Sequence, residues 1–120
     1  TPAQAAWRDR ALAHLTAAGL EGSADLREAV PDPAFDALVF VLREAGEAEA
    51  IGDRVWSGAV LAALVARVRE WFDTNATLDP AGFKELTGLS RRTAIPLLEW
   101  LDARGTTKRV GDARIRGVAR

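Results

Sequence analysis

The chain of 120 residues has no cysteine and a single histidine. Without thiols it builds neither a disulfide framework nor a thiolate metal site, and His14 has no second histidine to share a metal ion with. His14 is therefore read as an exposed or hydrogen-bonded surface residue. No apolar run approaches the length of a membrane span, and the N-terminus lacks the basic-then-apolar layout of a secretory signal. No glycine-rich loop ending in Gly-Lys-Ser/Thr is present, so a nucleotide-binding phosphate loop is absent as well. No nucleophile, base and oxyanion set converges. Glu99 and Asp102 imitate a carboxylate pair, but they stand three apart on one predicted helix, where pairing with Arg104 or a solvated face accounts for them. These absences predict a soluble globular chain with no catalytic residue, no metal and no membrane contact; thiols do not report the compartment, a cytoplasmic setting fits, and a monomer without a cofactor is expected.

What is present is a hydrophobic content of 48%, sufficient for the core of one medium domain or two very small ones. The net charge of −1 conceals an asymmetry. Residues 1–83 hold 7 Lys/Arg against 13 Asp/Glu, a net −6, whereas residues 84–120 hold 9 against 4, a net +5. Positive charge gathered at one end argues for contact with a polyanion there.

Along the chain, Thr1-Pro2 caps and starts a helix to about Ala18 that Gly19 closes, with Trp7, Ala11 and Leu15 at four-residue steps facing inward. A helix that begins at residue 1 points to a piece cut from a longer polypeptide. Ser23 is expected to cap a short second helix carrying Leu26, and Pro31-Asp32-Pro33 to end it and open a third. In the third, Phe35, Leu38, Val39 and Leu42 form one apolar stripe before Gly46. Glu47–Ile51 and Arg54–Trp56, joined by Gly52-Asp53, read as a small hairpin.

The pattern then restarts. Trp56, Ser57 and Leu61 have the spacing of a hydrophobic staple around a cap, and Leu61, Leu64, Val65, Val68 and Phe72 mark a helix to about Asn75. Leu78, Asp79, Pro80 and Phe83 repeat the staple and cap ahead of a short helix that ends at Gly88. Ser90 is an N-cap for a helix from about Arg91 to Arg104, and Ala94, Ile95, Leu97, Leu98 and Leu101 give its packed face. Thr106–Val110, Gly111-Asp112 and Ala113–Arg116 form a second hairpin with a two-residue turn. Within that helix Pro96 removes a backbone hydrogen bond, and it sits early enough to bend only the first turns.

A shift of 59 residues superposes the two halves: Leu38 on Leu97, Val39 on Leu98, Leu42 on Leu101, Gly46 on Gly105, Ile51 on Val110, and Gly52-Asp53 on Gly111-Asp112. The predicted class is mainly α with small β-hairpins, a tandem of winged helix-turn-helix domains over residues 1–56 and 57–120. Their surfaces differ. The first copy carries Pro31, Asp32, Pro33 and Asp36 where its third helix opens and Glu47, Glu49 and Asp53 in its wing. The second carries Arg91, Arg92, Lys108, Arg109, Arg114 and Arg116. One surface repels phosphate and the other attracts it. Arg91 and Arg92 at the positive end of a helix, with the wing cations, suit phosphate oxygens, and Ser90 and Thr93 add neutral hydrogen bonds. Trp7, Trp71 and Trp100 are read as packing residues, Trp100 lying off the main stripe. Arg104 complements the helix dipole.

The run from Phe83-Lys84-Glu85-Leu86 through Gly88-Leu89-Ser90-Arg91-Arg92-Thr93-Ala94-Ile95-Pro96-Leu97-Leu98-Glu99 to Gly105-Thr106-Thr107-Lys108-Arg109-Val110-Gly111-Asp112-Ala113-Arg114 closely resembles the last winged helix of bacterial selenocysteine-specific elongation factors (SelB). Ser57–Val118 is covered well, and Thr1–Trp56 resembles the preceding winged helix less closely. The resemblance implies a C-terminal fragment that binds the mRNA hairpin recoding UGA, the selenocysteine insertion element, through Ser90, Arg91, Arg92, Thr93, Lys108, Arg109, Arg114 and Arg116. The hairpin tethers the factor close to the ribosome, a further partner. GTP and magnesium belong to the GTPase portion, which this fragment lacks. The competing readings are a DNA-binding winged helix of a transcription regulator and a protein-interaction module docking through the acidic copy.

Overall fold

The computed structural model describes residues 1–118. The chain forms two compact units, Thr1–Leu61 and Ala62–Arg120, dividing in the first turn of its fourth helix rather than after Trp56.

In the first unit, α1 (Pro2–Ala18) opens on a capping box: the Thr1 hydroxyl accepts from the Gln4 amide at 3.2 Å, and the Gln4 side chain accepts from the terminal amine at 3.0 Å. Trp7, Ala11 and Leu15 are buried on one face, and the Trp7 indole N–H donates to the Val30 carbonyl at 2.8 Å. Its polar atom thus enters the core paired. The second helix, α2 (Leu26–Ala29), is preceded by Asp25 rather than capped by Ser23. Ser23 instead makes an antiparallel bridge to Val55, at 2.8 and 2.9 Å. Helix α3 (Phe35–Glu44) begins after Asp32, whose carboxylate accepts from the Ala34 amide at 2.8 Å. Phe35 and Leu42 join Trp7, Leu15, Leu26 and Ala48 in one core, with Leu38 and Val39 packed against it. Strands β1 (Ala48–Ile51) and β2 (Arg54–Ser57) pair antiparallel.

Helix α4 (Gly58–Thr74) starts where the Ser57 hydroxyl accepts from the Val60 amide at 3.3 Å, and it buries Leu64, Val65, Val68 and Phe72. After it come β3 (Thr77–Leu78), α5 (Pro80–Thr87), α6 (Arg91–Ala103), β4 (Thr107–Val110) and β5 (Ala113–Arg116). Asp79 caps α5 by accepting from the Gly82 amide at 2.7 Å, and Gly88 ends it in the left-handed conformation. The strands form a three-stranded sheet in the order β3-β5-β4, with Leu78 opposite Arg114 and Arg109 opposite Arg114 on the other side. Strand β3 was not expected, because two residues carry no alternation to read.

At the root of the wing the two units repeat the same pair of backbone bonds. The Glu47 amide donates to the Leu42 carbonyl at 2.9 Å and the Gly58 amide to the Glu47 carbonyl at 3.0 Å. At the same 59-residue offset, Thr106 donates to Leu101 and Gly117 to Thr106, both at 3.0 Å. A Cβ on Gly58 would lie 2.0 Å from the Gly46 carbonyl oxygen, and one on Gly117 1.9 Å from that of Gly105. Only glycine permits this crossing of the chain entering the wing with the chain leaving it. The Ser23–Val55 bridge is the first unit's counterpart of the β3–β5 pairing, since Val55 occupies the place of Arg114.

Because the obstructing atom is backbone, Gly117→Ala is expected to lower stability by about 1–3 kcal/mol, as overpacking does, and Gly58→Ala to act likewise. Urea titration followed by tryptophan fluorescence measures both. Ser90 takes the N-cap conformation of α6 but its side chain makes no bond to a backbone N–H of the opening turn. Ser90→Ala is therefore expected to cost under about 0.5 kcal/mol, whereas Asp79→Ala should cost the ~1 kcal/mol of a bonded cap, by the same titration.

Candidate nucleic-acid interface

The opening turn of α6 follows Ser90 in extended backbone, with φ −68° and ψ 161°. The Ser90 hydroxyl lies 3.3 Å from that of Thr93. Since no side chain of Ser90 caps the helix, the first N–H groups of α6 remain available to an anion at the positive end of the helix dipole. Arg91 and Arg92 are exposed there, and Thr93 is half-buried. The helix continues unbroken through Pro96, whose missing N–H leaves the Arg92 carbonyl without its helical donor. Ile95, expected on the packed face, is 44% exposed, while Ala94, Leu97, Leu98 and Leu101 are buried as expected.

Strand alternation separates the wing cations. Arg109 pairs across the sheet with Arg114, and both line the groove beside α6; Lys108 pairs with Ile115 and so belongs to the opposite face. Arg109 is held at the wing tip by donating from Nε to the Gly111 carbonyl at 2.8 Å. Among the described residues, Arg91, Arg92, Lys108 and Arg109 take part in no ion pair.

Two expected phosphate ligands are placed otherwise. Arg114 is only 7% exposed, and its guanidinium donates to the Asp102 carboxylate, Nη2 at 2.9 Å and Nε at 3.3 Å. Its charge is already neutralised, so it is not a free cation for phosphate. Asp102 thus pairs with Arg114, not with Arg104 as the sequence suggested. Arg116 is exposed but donates to Asp73 of α4 at 3.0 Å. That surface pair is worth little and can exchange partners, yet Arg116 does not stand on the groove with Arg91 and Arg109.

The groove itself, about 310 Å³, runs between the start of α5, the first half of α6 and the wing. Pro80, Ala81, Leu89, Ala94, Ile95 and Leu98 supply its apolar wall, and Lys84, Arg91 and Arg109 its positive groups, against Glu99 and Asp112, with Arg114 lining it already paired to Asp102. Lys84 and the exposed Ile95 are the residues the sequence reading did not assign to the site. Lys84 stands just ahead of the hydrophobic repeat of α6, on a helix whose only marked features were its cap and terminator. A shallow slot with an apolar wall and a cationic rim accepts an aromatic ring or sugar while its edge holds phosphate.

The first unit keeps the frame and reverses the charge. Asp32 and Pro33 stand at the places of Arg91 and Arg92, and Glu49 and Ala50 at those of Lys108 and Arg109. Arg54, the cation of its wing, donates to the Glu21 carbonyl at 3.1 Å. His14 approaches the Ser23 hydroxyl at 2.9 Å and the Asp25 carboxylate at 3.2 Å, a surface network in which Ser23 and then His14 hold the Asp25 carboxyl below its usual range. Arg8 pairs with Glu47, which raises the guanidinium further above its ordinary value. Trp100 is half-buried under the Arg104 guanidinium, 4.7 Å from the ring centre, so Arg104 is engaged by an aromatic face as well as by its place at the helix end. Among the described residues, no three His, Asp or Glu side chains gather as they would around a metal ion.

Comparison with known proteins points to the same unit. Residues 70–116 match the family described as elongation factor SelB, winged helix. A selenocysteine-specific elongation factor from Desulfomicrobium baculatum is 45% identical over 51 residues, which are 42% of this chain and 8% of that protein. The fold is similar to that of the mRNA-binding domain of elongation factor SelB from E. coli, determined in complex with SECIS RNA, with a TM-score of 0.77 at 23% identity over 95% of this chain and 96% of that one. The stretch that includes α5, α6 and the wing is thus the part of the chain that is similar to SelB winged helices, and the chain spans only a small part of the length of the elongation factor it matches.

Proposed function

We propose that this chain binds an mRNA hairpin through its second unit, as the C-terminal portion of a selenocysteine-specific elongation factor. The observation that carries this reading is the groove rimmed by unpaired Arg91 and Arg109, in the unit that matches the SelB family. A-form RNA hides its base edges in a deep, narrow groove, so a hairpin is held by backbone phosphates and by bases that have left the stack. The opening turn of α6 offers backbone N–H groups and two guanidiniums to one phosphate run. The wing offers Arg109 to the groove, and Lys108 reaches from its opposite face. Ser90 and Thr93 supply hydroxyls, and Arg116 joins where RNA displaces Asp73. In this reading the chain performs no catalytic step and needs no cofactor. It acts as a monomeric tether that holds a cytoplasmic factor near the ribosome for recoding of UGA, while GTP and magnesium belong to a GTPase portion outside this chain.

Binding of the purified chain to a panel of RNA hairpins with single loop changes, and to a DNA duplex of equal length, tests the reading. A hairpin with an unpaired base should outcompete the duplex at equal salt. With four or five phosphate contacts, log K should fall against log salt with a slope of about −3.5 to −4.5. Arg91→Ala and Arg109→Ala should each make that slope shallower by about 0.9, and Arg54→Ala in the first wing should leave it unchanged. A slope near zero, or equal affinity for DNA, would overturn the assignment.

A further inference from the structure

We infer that Asp102 is a positioning residue for RNA binding: through Arg114 and Thr107 it fixes the wing, and with it Arg109, relative to the opening turn of α6. The inference rests on the function proposed above.

Asp102 is the penultimate residue of α6 and reaches both neighbouring strands. Its carboxylate accepts from the Thr107 hydroxyl on β4 at 2.6 Å and from the Arg114 guanidinium on β5 at 2.9 and 3.3 Å. Thr107 and Arg114 are buried while the Asp102 side chain keeps 24% of its surface, so this is a charged network partly removed from water. Two strands and one helix are joined by directional bonds at a single group. Arg109 is the cross-strand partner of Arg114, so holding Arg114 holds the backbone from which Arg109 projects. Arg91 lines the same groove from α6. The spacing of these two free cations, on which a match to phosphates depends, is therefore set by Asp102.

The first unit shows that the scaffold does not need this network merely to seat a wing. At the places of Asp102, Thr107 and Arg114 it has Arg43, Ala48 and Val55. Arg43 is exposed, while Ala48 is buried and Val55 packs against the core. An apolar solution at the two strand positions thus gives the same hairpin register and the same glycine crossing. Replacing it with a buried ion pair adds a desolvation cost that apolar packing avoids, and the best-attested return is a unique arrangement. The copy with free cations on its groove is the one that carries the pair. The strength of a guanidinium–carboxylate fork lies in its fixed geometry, which a sliding apolar contact lacks.

The triple substitution Asp102→Ala, Thr107→Ala, Arg114→Val gives the second wing the strand residues of the first while leaving Arg91, Arg92, Lys108 and Arg109 in place. It should unfold at or above the wild-type temperature, since apolar replacement of a whole buried pair is commonly neutral or stabilising. Its affinity for the tightest hairpin of the panel should fall about tenfold, the scale of coupling within one network. Binding to a fully paired RNA of equal length should be unchanged, and so should the salt slope. Discrimination is lost and charge is not. Arg114→Lys, which keeps a cation beside Asp102 but not the fork, should show the same pattern to a smaller degree, and it serves if the triple variant fails to fold.

Wild-type affinity and discrimination in a folded variant would overturn the inference, leaving the network as wing packing alone. An equal loss on all RNAs with a slope shallower by about 0.9 would overturn it differently, by making Arg114 a direct phosphate ligand. If the wild-type chain binds no RNA at all, the function proposed above falls first and this inference falls with it.

Discussion

Each unit depends on one tight crossing, where the strand leaving the wing passes the carbonyl at the end of the third helix. Gly58 lies against Gly46 and Gly117 against Gly105, so close that a single methyl group has no room. One amide-to-carbonyl bond at 3.0 Å then ties the outgoing chain to the residue just before the wing, Glu47 in one unit and Thr106 in the other. The outgoing strand is held as well by main-chain pairing, to β3 in the second unit and to Ser23 in the first. What differs between the units is the packing between wing and helix. The first unit fills that space with Ala48 and Val55, and the second with Thr107, Arg114 and the carboxylate of Asp102.

Charge placement follows from the same geometry. Successive residues of a strand face opposite ways, so the four basic residues of the second wing do not all share one face. Lys108 and Arg109 diverge by alternation, and Arg114, which shares the face of Arg109, is taken inward by Asp102. Arg116 finds Asp73 on α4. The free cations that border the groove therefore stand on α5, at the opening turn of α6 and on the wing, as Lys84, Arg91 and Arg109.

Much of this was legible in the sequence. Apolar spacing marked every long helix, paired glycines marked the helix ends and wing turns, and the 59-residue offset exposed the duplication. The acidic and basic surfaces followed from composition. What escaped has physical causes. Strand β3 is two residues long and too short for a period to show. Ser23 has the chemistry of a cap, yet its backbone is taken by the bridge to Val55. Ile95 satisfies helical periodicity, but the third face of a helix can border an open groove as well as a core, and here it does. The four wing cations looked equivalent because sequence gives charge without partner. The acceptor for Arg114 comes from α6, twelve residues earlier, and that for Arg116 from α4, forty-three residues earlier.

The contrast between copies also bears on why the basic one carries a buried ion pair. A wing seated by apolar contact can shift by small amounts at little cost, because dispersion contacts are many, weak and nondirectional. That tolerance suits a unit whose surface presents Asp32, Glu49 and Asp53 and holds its one wing cation, Arg54, against a backbone carbonyl. It would not suit a unit that must keep Arg91 on a helix and Arg109 on a strand in register with one polyanion. Long flexible side chains supply charge but not position. Position has to come from the backbone beneath them, and the backbone beneath Arg109 is fixed to α6 through its cross-strand neighbour. Under the proposed function, selectivity among RNAs of equal charge is therefore expected to reside in residues that would touch no RNA, and affinity in those that would.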